Sequence, residues 1–255
     1  MNIVSAAARS GFTLEHHETV GSTNDLAMDH LRKGGASRHF VIAASQSGGR
    51  GRLGRQWVSK PGNLYASLAL VDPAPQPLAF QLGFVAALTI HETLLASGLD
   101  SDRVSLKWPN DVLVDGRKIS GILVEGTPLA DGHIGVVIGC GINVAHHPSE
   151  TLYPVTNLTA AGISTSVDEV FAAFAQAFDK TLALYKGGMG FDVIRDAWLD
   201  AAHGLGGPIV VRDRKEERQG VFKGLDPDGR LLLEQTGAIV PVIAGDVFYH
   251  SEGNA

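Results

Sequence analysis

The dipeptide Asp115-Gly116 stands between two apolar runs, Val112-Leu113-Val114 and Ile119 to Val124, and it limits what the chain can fold into more than any other stretch. Asp-Gly in that setting is a two-residue hairpin turn, so part of the sheet is antiparallel and its register is set. Val114 then faces Arg117, Leu113 faces Lys118, and Asp111 faces Ser120. Directly paired residues share a face, which makes Asp111 and Lys118 a diagonal pair about 7–8 Å apart. Two readings stay open. One is a surface ion pair on a solvated face, contributing little. The other is a carboxylate for a divalent ion beside a lysine for a phosphate or carboxylate. Just upstream, Pro109-Asn110 breaks the strand, as at a site rather than in a ladder.

The remaining pattern mixes strands and helices. Alternation or apolar runs predict strands over Phe12–Val20, His39–Ser45, Asn63–Val71 and His133–Ile138. The last ends in Gly139-Cys140-Gly141-Ile142-Asn143, where two glycines allow close approach to a ligand or to another strand. Ser22 with Asp25 resembles a capping box opening a short helix, and capping alone accounts for Ser22 and Thr23. Leu78–Ser97 reads as a helix apolar nearly all round, hence central and buried. Val167–Lys186 and Phe191–Ala201 read as amphipathic helices, the first with a core stripe of Val170, Phe171, Phe174, Phe178 and Leu182. Tyr153–Gly162 reads as a loop. After the glycine-rich linker His203–Pro208, five short strands predict a small β-barrel. The domains expected are 1–205 and 206–255.

Chemistry concentrates in Gln46-Ser-Gly-Gly-Arg-Gly-Arg-Leu-Gly-Arg-Gln-Trp57. Glycine lets backbone approach a ligand, and arginine offers a fork of donors for carboxylate or phosphate. From His30 to Val71 there is no acidic residue against seven basic ones (Arg32, Lys33, Arg38, Arg50, Arg52, Arg55 and Lys60), within a chain of net charge −6. A local positive field in an acidic protein points to a small anionic ligand rather than to nucleic acid. Gly49-x-Gly51-x-x-Gly54 matches the dinucleotide fingerprint by letter only, because Arg55 to Lys60 runs into Pro61-Gly62 instead of opening a helix. A length of 255 residues fits one large domain or one plus a small one. The single cysteine, Cys140, excludes an internal disulfide and reads as a buried core thiol. No signal peptide and no run of eighteen apolar residues are seen, so a cytoplasmic protein without a membrane span is expected.

Taken together, Gly49-Arg-Gly-Arg-x-Gly-Arg55-x-Trp57, Lys107-Trp-Pro-Asn-Asp111, Arg117-Lys118-x-x-Gly121-Ile-Leu and Gly139-x-Gly-x-Asn143 resemble the biotin protein ligases in order and spacing. The related lipoate ligases share the fold but lack this arginine-rich loop followed by Lys-Trp-Pro-Asn-Asp. The resemblance implies an α+β fold. Its catalytic domain would be a mixed sheet with helices on one side, related to class II aminoacyl-tRNA synthetases, followed by a C-terminal SH3-like barrel. It implies biotin and ATP as substrates, magnesium, a biotinyl-adenylate intermediate, and a lysine of a biotin carboxyl carrier domain as acceptor. By the same resemblance, biotin would meet Ser22, Thr23, Asn24, Gln46, Arg50, Gly51, Arg52, Lys118 and Gly121. The nucleotide would meet Arg50, Arg52, Arg55, Trp57, Asn110 and Asn143. Asp111, or Asn110 beside it, would help hold the metal, with Lys118 and Arg52 catalytic. Ser22 lies too near the start to leave room for the helix-turn-helix domain of some members, so the monofunctional form, as a monomer or homodimer, is expected. A lipoate or octanoate ligase of the same fold is the alternative.

Overall fold

A computed structural model describes residues 3–130, 132–149, 151, 153–213 and 216–249. The chain opens with a short helix, α1 (Ile3–Arg9), for which the sequence pattern gave no signal. There follow β1 (Thr13–Val20), α2 (Thr23–Arg32), β2 (His39–Gln46), β3 (Leu64–Val71), α3 (Leu82–Ala96), β4 (Val104–Lys107), β5 (Asp111–Val114), β6 (Arg117–Pro128) and β7 (Ile134–Ile142). Next come α4 (Val167–Tyr185), α5 (Phe191–Asp200), and five strands β8 (Pro208–Arg212), β9 (Glu217–Leu225), β10 (Leu231–Gln235), β11 (Ala238–Val242) and β12 (Asp246–Tyr249).

Seven strands form one sheet in the order β1-β2-β3-β7-β6-β5-β4, with β1 parallel to β2 and every other pairing antiparallel. Alternate side chains go to opposite faces. One face carries Phe40, Leu68 and Ile138 into the main core, where Phe40 meets the rings of Phe171, Phe174 and Phe178 on α4 at centroid distances of 5.5, 5.9 and 6.0 Å. The other face carries Val41, Ala69 and Val137 against Ala27, Met28 and Leu31 of α2. Helices on one side only is therefore not what forms: α2 lies on the face opposite α3 and α4. It packs on β2, β3 and β7, and the face over β6, β5 and β4 is left to other parts of the chain.

Helix α3 is buried as its composition requires, preceded by a 3₁₀ segment over Gln76–Gln81 rather than by α-helix. Segment Gln76–Ala96 has the length and mean hydropathy, 1.5, of a membrane span, yet it sits in the protein core. Its buried hydroxyls are satisfied within the helix: Thr89 donates to Val85 O at 2.9 Å and Thr93 to Thr89 O at 2.7 Å. That removes the penalty an unpaired buried hydroxyl would carry.

The Asp115-Gly116 turn forms with both residues at positive φ, +50° and +70°, as a type I′ hairpin needs. Val114 pairs with Arg117 and Leu113 with Lys118. The register then shifts. Val112 faces Ser120 and Asp111 faces Gly121, not Ser120, because Ile119 is an extra residue on β6. This bulge keeps Lys118 and Gly121 on the same side of the sheet although they are three residues apart. At Trp108-Pro109-Asn110 the chain does more than break. It reverses, so that β4 returns as β5 and Lys107 pairs with Asp111; the Trp108–Pro109 bond is cis.

The C-terminal strands form an antiparallel sheet in the order β11-β10-β9-β8-β12, and the described edge strands β11 and β12 do not pair with each other. Trp108 Nε1 donates to Gly229 O at 3.3 Å, and Tyr249 donates to His203 O at 3.0 Å. The first ties the β9–β10 turn to the β4–β5 turn, and the second ties β12 to the segment after α5.

Candidate active site

On the sheet face shared with α2, one cross-strand row runs Lys107–Asp111–Gly121–Gly141–Tyr65 over β4, β5, β6, β7 and β3. A cavity of about 340 Å³ lies above this row, within the range of small-molecule sites. Its walls are the start of α2, the Gly–Arg loop and strand β12. The two glycines in the row explain its depth. Trp57 lies flat over them: a Cβ at Gly121 would fall 2.9 Å from Trp57 Cζ3, and one at Gly141 would fall 2.5 Å from Cε2. A Cβ at Gly139, likewise, would fall 2.9 Å from Asn24 Cγ. The close approach allowed by these glycines is thus to side chains of α2 and the loop. Trp57 Nε1 is buried without a partner.

One end of the cavity is polar but uncharged. Gln46 Oε1 accepts from the Thr23 backbone N–H at 2.8 Å and from its hydroxyl at 3.1 Å, while Gln46 Nε2 donates to Ser59 Oγ at 2.9 Å. Gln46, not Ser22, therefore caps α2. Ser22 is buried and makes no capping bond with its side chain, and Asp25 is engaged elsewhere, so the expected capping box is absent. Ser67 Oγ sits 2.8 Å from Thr23 Oγ1 and 2.6 Å from Asn24 Oδ1, and Asn24 Nδ2 donates to Glu125 at 2.7 Å.

Cations flank these groups: Arg50 on the α2 side, and Arg52 and Lys118 on the β4–β5 side with Asn110 and Asp111. Arg50 forks onto Asp25 at 2.6 and 2.8 Å and lies 3.6 Å from Glu125. The Arg50 hydrogen bond holds the Asp25 carboxyl below its ordinary value. Arg52 donates to Asn110 Oδ1 at 3.0 Å, and burial lowers its pKa. Arg55 forms an ion pair with Asp246 on β12. Lys118 Nζ lies 2.7 Å from Asp111 Oδ1, with the side chains 13% and 18% exposed. The Lys118 ammonium is thus the direct counter-charge of the Asp111 carboxylate. The pair is largely buried, which excludes the solvated surface pair as its description. Burial pushes the Cys140 thiol up, and it takes no part in the polar network.

Every residue expected at the site except Asn143 lines this cavity. Asn143 is buried outside it and donates to Thr156 O at 3.0 Å, so it props the 153–158 loop that carries Tyr153 to the cavity wall. Sequence reasoning missed Lys107, although it stands inside a quoted motif, because no role was attached to it. It also missed Glu125, Asp246 and Phe248. The last two reach the site from a separate unit, and nothing in their local sequence signals that.

Residues 17–143 match the Biotin/lipoate A/B protein ligase family. Residues 204–249 match the Biotin protein ligase C terminal domain. A biotin--[acetyl-CoA-carboxylase] ligase of Paracoccus denitrificans is 37% identical over 89% of this chain and 97% of that protein. The bifunctional ligase/repressor BirA of Escherichia coli is 33% identical over 91% of this chain and 72% of its own length. A biotin protein ligase from Aquifex aeolicus, solved in complex with biotin and ATP, superposes with a TM-score of 0.77 at 26% identity, covering 92% of this chain and 97% of that one. The chain belongs to the biotin protein ligases.

Proposed function

We propose that this protein condenses biotin with ATP to biotinyl-5′-adenylate and pyrophosphate. It then passes the biotinyl group to a lysine amine of a biotin carboxyl carrier domain. The observation that carries this is the polarity of the cavity: neutral donors and acceptors around Thr23 and Gln46, with cations flanking them. Biotin has that polarity, with an uncharged ureido head and an anionic tail. A lipoyl or octanoyl chain has no hydrogen-bonding head with which to add to this network.

Bringing a carboxylate to a triphosphate opposes like charges. In our reading Lys118 and Arg52 offset that repulsion and stabilise charge developing at the α-phosphate. Trp57, already flat on the sheet, gives a face for the adenine and an indole N–H without a partner. Among the described residues no three His, Cys, Asp or Glu side chains cluster for a metal. Magnesium takes most of its ligands from phosphates and water and needs only one or two carboxylates. Asp111, a carboxylate in the cavity lining already paired with Lys118, fits that role; a bound magnesium ion would neutralise phosphate charge. The second step needs no covalent enzyme intermediate. We read the C-terminal sheet as the family's SH3-like barrel, beginning near residue 206, and the larger sheet as akin to the class II aminoacyl-tRNA synthetase core. We assign the reaction to the cytoplasm.

The test is acid-dependent exchange of pyrophosphate into ATP, run with biotin, lipoate and octanoate, followed by labelling of a carrier domain. Exchange with biotin alone supports the reading, and exchange only with the other acids overturns it.

A further inference from the structure

Six cations line the cavity, and four of them are already matched. Arg50 is held by Asp25, Arg55 by Asp246, Lys118 by Asp111, and Arg212 by Glu217. Among the described residues, Arg52 and Lys107 alone of the six have no carboxylate at ion-pair distance. Arg52 is engaged with Asn110. Lys107 has only aromatic faces: its Nζ lies 5.8 Å from the Phe248 ring centroid and 5.6 Å from that of Tyr249, both on β12. A half-buried ammonium without a counter-ion is costly, and a ligand anion is what would complete it. The position is informative. Lys107 pairs directly with Asp111 across the β4–β5 turn and so ends the cavity-floor row on the side of the C-terminal sheet, while Lys118 and Gly121 lie on the far side of Asp111.

We propose that Lys107 is the seat of the β- and γ-phosphates of ATP, holding them between the β4–β5 turn and strand β12, and hence of the pyrophosphate that leaves. The inference rests on the adenylation reading above and adds a role to it. A carboxylate oxygen of the acid bonds to the α-phosphorus. The bond from that phosphorus to the oxygen bridging the α- and β-phosphates breaks, and its electron pair departs on pyrophosphate. No proton need move. The Lys107 ammonium offsets the charge gathering on the departing group, which raises the rate of bond breaking and delays release. Burial lowers the Lys107 pKa and the nearby Lys118 charge adds to this, while Asp111 and Asp246 act in the opposite sense. A phosphate group at this position would favour the ammonium further.

The alternative is that Lys107 is a packing residue that anchors β12 through its rings. The test is inhibition of adenylate formation by inorganic pyrophosphate, using the full chain with biotin, ATP and magnesium ions. Lys107→Met keeps the stem and removes the charge; Lys107→Arg keeps the charge. We expect the pyrophosphate inhibition constant and the ATP KM to rise by about ten- to a hundredfold in Lys107→Met, as for losing a charged hydrogen bond. Lys107→Arg should restore most of it, and biotin affinity should move less than twofold. An unchanged inhibition constant in Lys107→Met overturns the proposal. If that variant does not fold, wild-type protein decides. Pyrophosphate should slow reductive methylation of Lys107 at least tenfold by mass spectrometry while AMP does not, and equal methylation in all conditions overturns it. Wild-type protein with no biotin-dependent exchange would sink the adenylation reading instead, and the methylation arm would still decide the anion site.

Discussion

Replacing Lys118 by glutamine separates two roles of one ammonium group. In the structure Lys118 lies 2.7 Å from Asp111, and two unit charges at that distance attract by roughly 6 kcal/mol at an effective dielectric near 20. Desolvation cancels much of this, since the two side chains are only 13% and 18% exposed. An exposed pair would contribute less than about 1 kcal/mol, and breaking a fully buried one costs about 3–5 kcal/mol. Lys118→Gln should therefore destabilise the fold by about 1–3 kcal/mol, since Lys107 and Arg52 remain near Asp111. At about 2–4 °C per kcal/mol for a chain of this size, the melting temperature should fall by roughly 2–12 °C. Adding Asp111→Asn should recover part of the loss, with a coupling of about 1–3 kcal/mol in the double-mutant cycle. Catalysis should suffer far more. In the proposed mechanism the ammonium offsets the charge where carboxylate and phosphate meet, and losing one such donor costs about a hundredfold or more. Denaturation curves give the first number and biotin-dependent pyrophosphate exchange the second. Adenylate formed at the wild-type rate would refute the catalytic role. A zero coupling energy would refute the buried ion pair.

Three further outcomes follow from the geometry. In Gly141→Ala the new methyl meets the indole of Trp57 at 2.5 Å, so the ring must tilt off the sheet; ATP should bind at least about tenfold more weakly with a red-shifted tryptophan emission, and unchanged emission sinks the placement. The Asp25 carboxyl is held below 3.8 chiefly by its hydrogen bond from Arg50, so the contribution of that pair is present above this ordinary value and lost as pH falls through the lowered one; a carboxyl titration by NMR should show the depressed midpoint, and Arg50→Ala should return it upward. Asp246→Asn frees Arg55 from β12, and hydrogen exchange across residues 49–56 should then accelerate several-fold without biotin or ATP; equal protection in both proteins would count against an anchoring role.

The sheet was legible in the sequence because strand alternation and the Asp-Gly turn are local signals. The turn fixed Val114 opposite Arg117 and Leu113 opposite Lys118. The reading then ran one residue out at Asp111, since a bulge depends on packing and Ile119 carries no mark of it. The Asp111–Lys118 proximity survived because the bulge leaves both on one face. Ser22 shows the opposite failure. Its spacing to Asp25 is that of a capping box, yet Arg50 claims Asp25 and Gln46 claims the helix N-terminus, both from residues distant in sequence. Local propensity was overridden by partners that only the fold brings near. The motifs placed the loop and sheet-floor part of the cavity lining but not Tyr65, Tyr153 or the β12 residues, and Asn143 fell outside it because a motif records order along the chain and not which way a side chain faces.

Arg50, Arg52 and Arg55 lie within six residues of one loop, and like charges so close repel one another unless they are matched. The structure matches two of them. Arg50 rests on Asp25 and Glu125, and Arg55 on Asp246, so carboxylates from α2, β6 and β12 each take part of the load. Asp25 and Asp246 are on elements that bound the cavity, and Glu125 also holds Asn24, a neighbour of the Thr23–Gln46 contact. A ligand anion entering beside the loop would compete with these carboxylates for the same guanidinium groups. Loosening Arg50 would release Glu125 and, through Asn24, reach the neutral end. Loosening Arg55 would release β12, on which Phe248 and Tyr249 face Lys107. Arg50 thus ties the loop to the neutral end and Arg55 ties it to β12, and whatever an anion on the loop does to a ligand at Thr23 and Gln46, that ligand does to the anion by the same free energy.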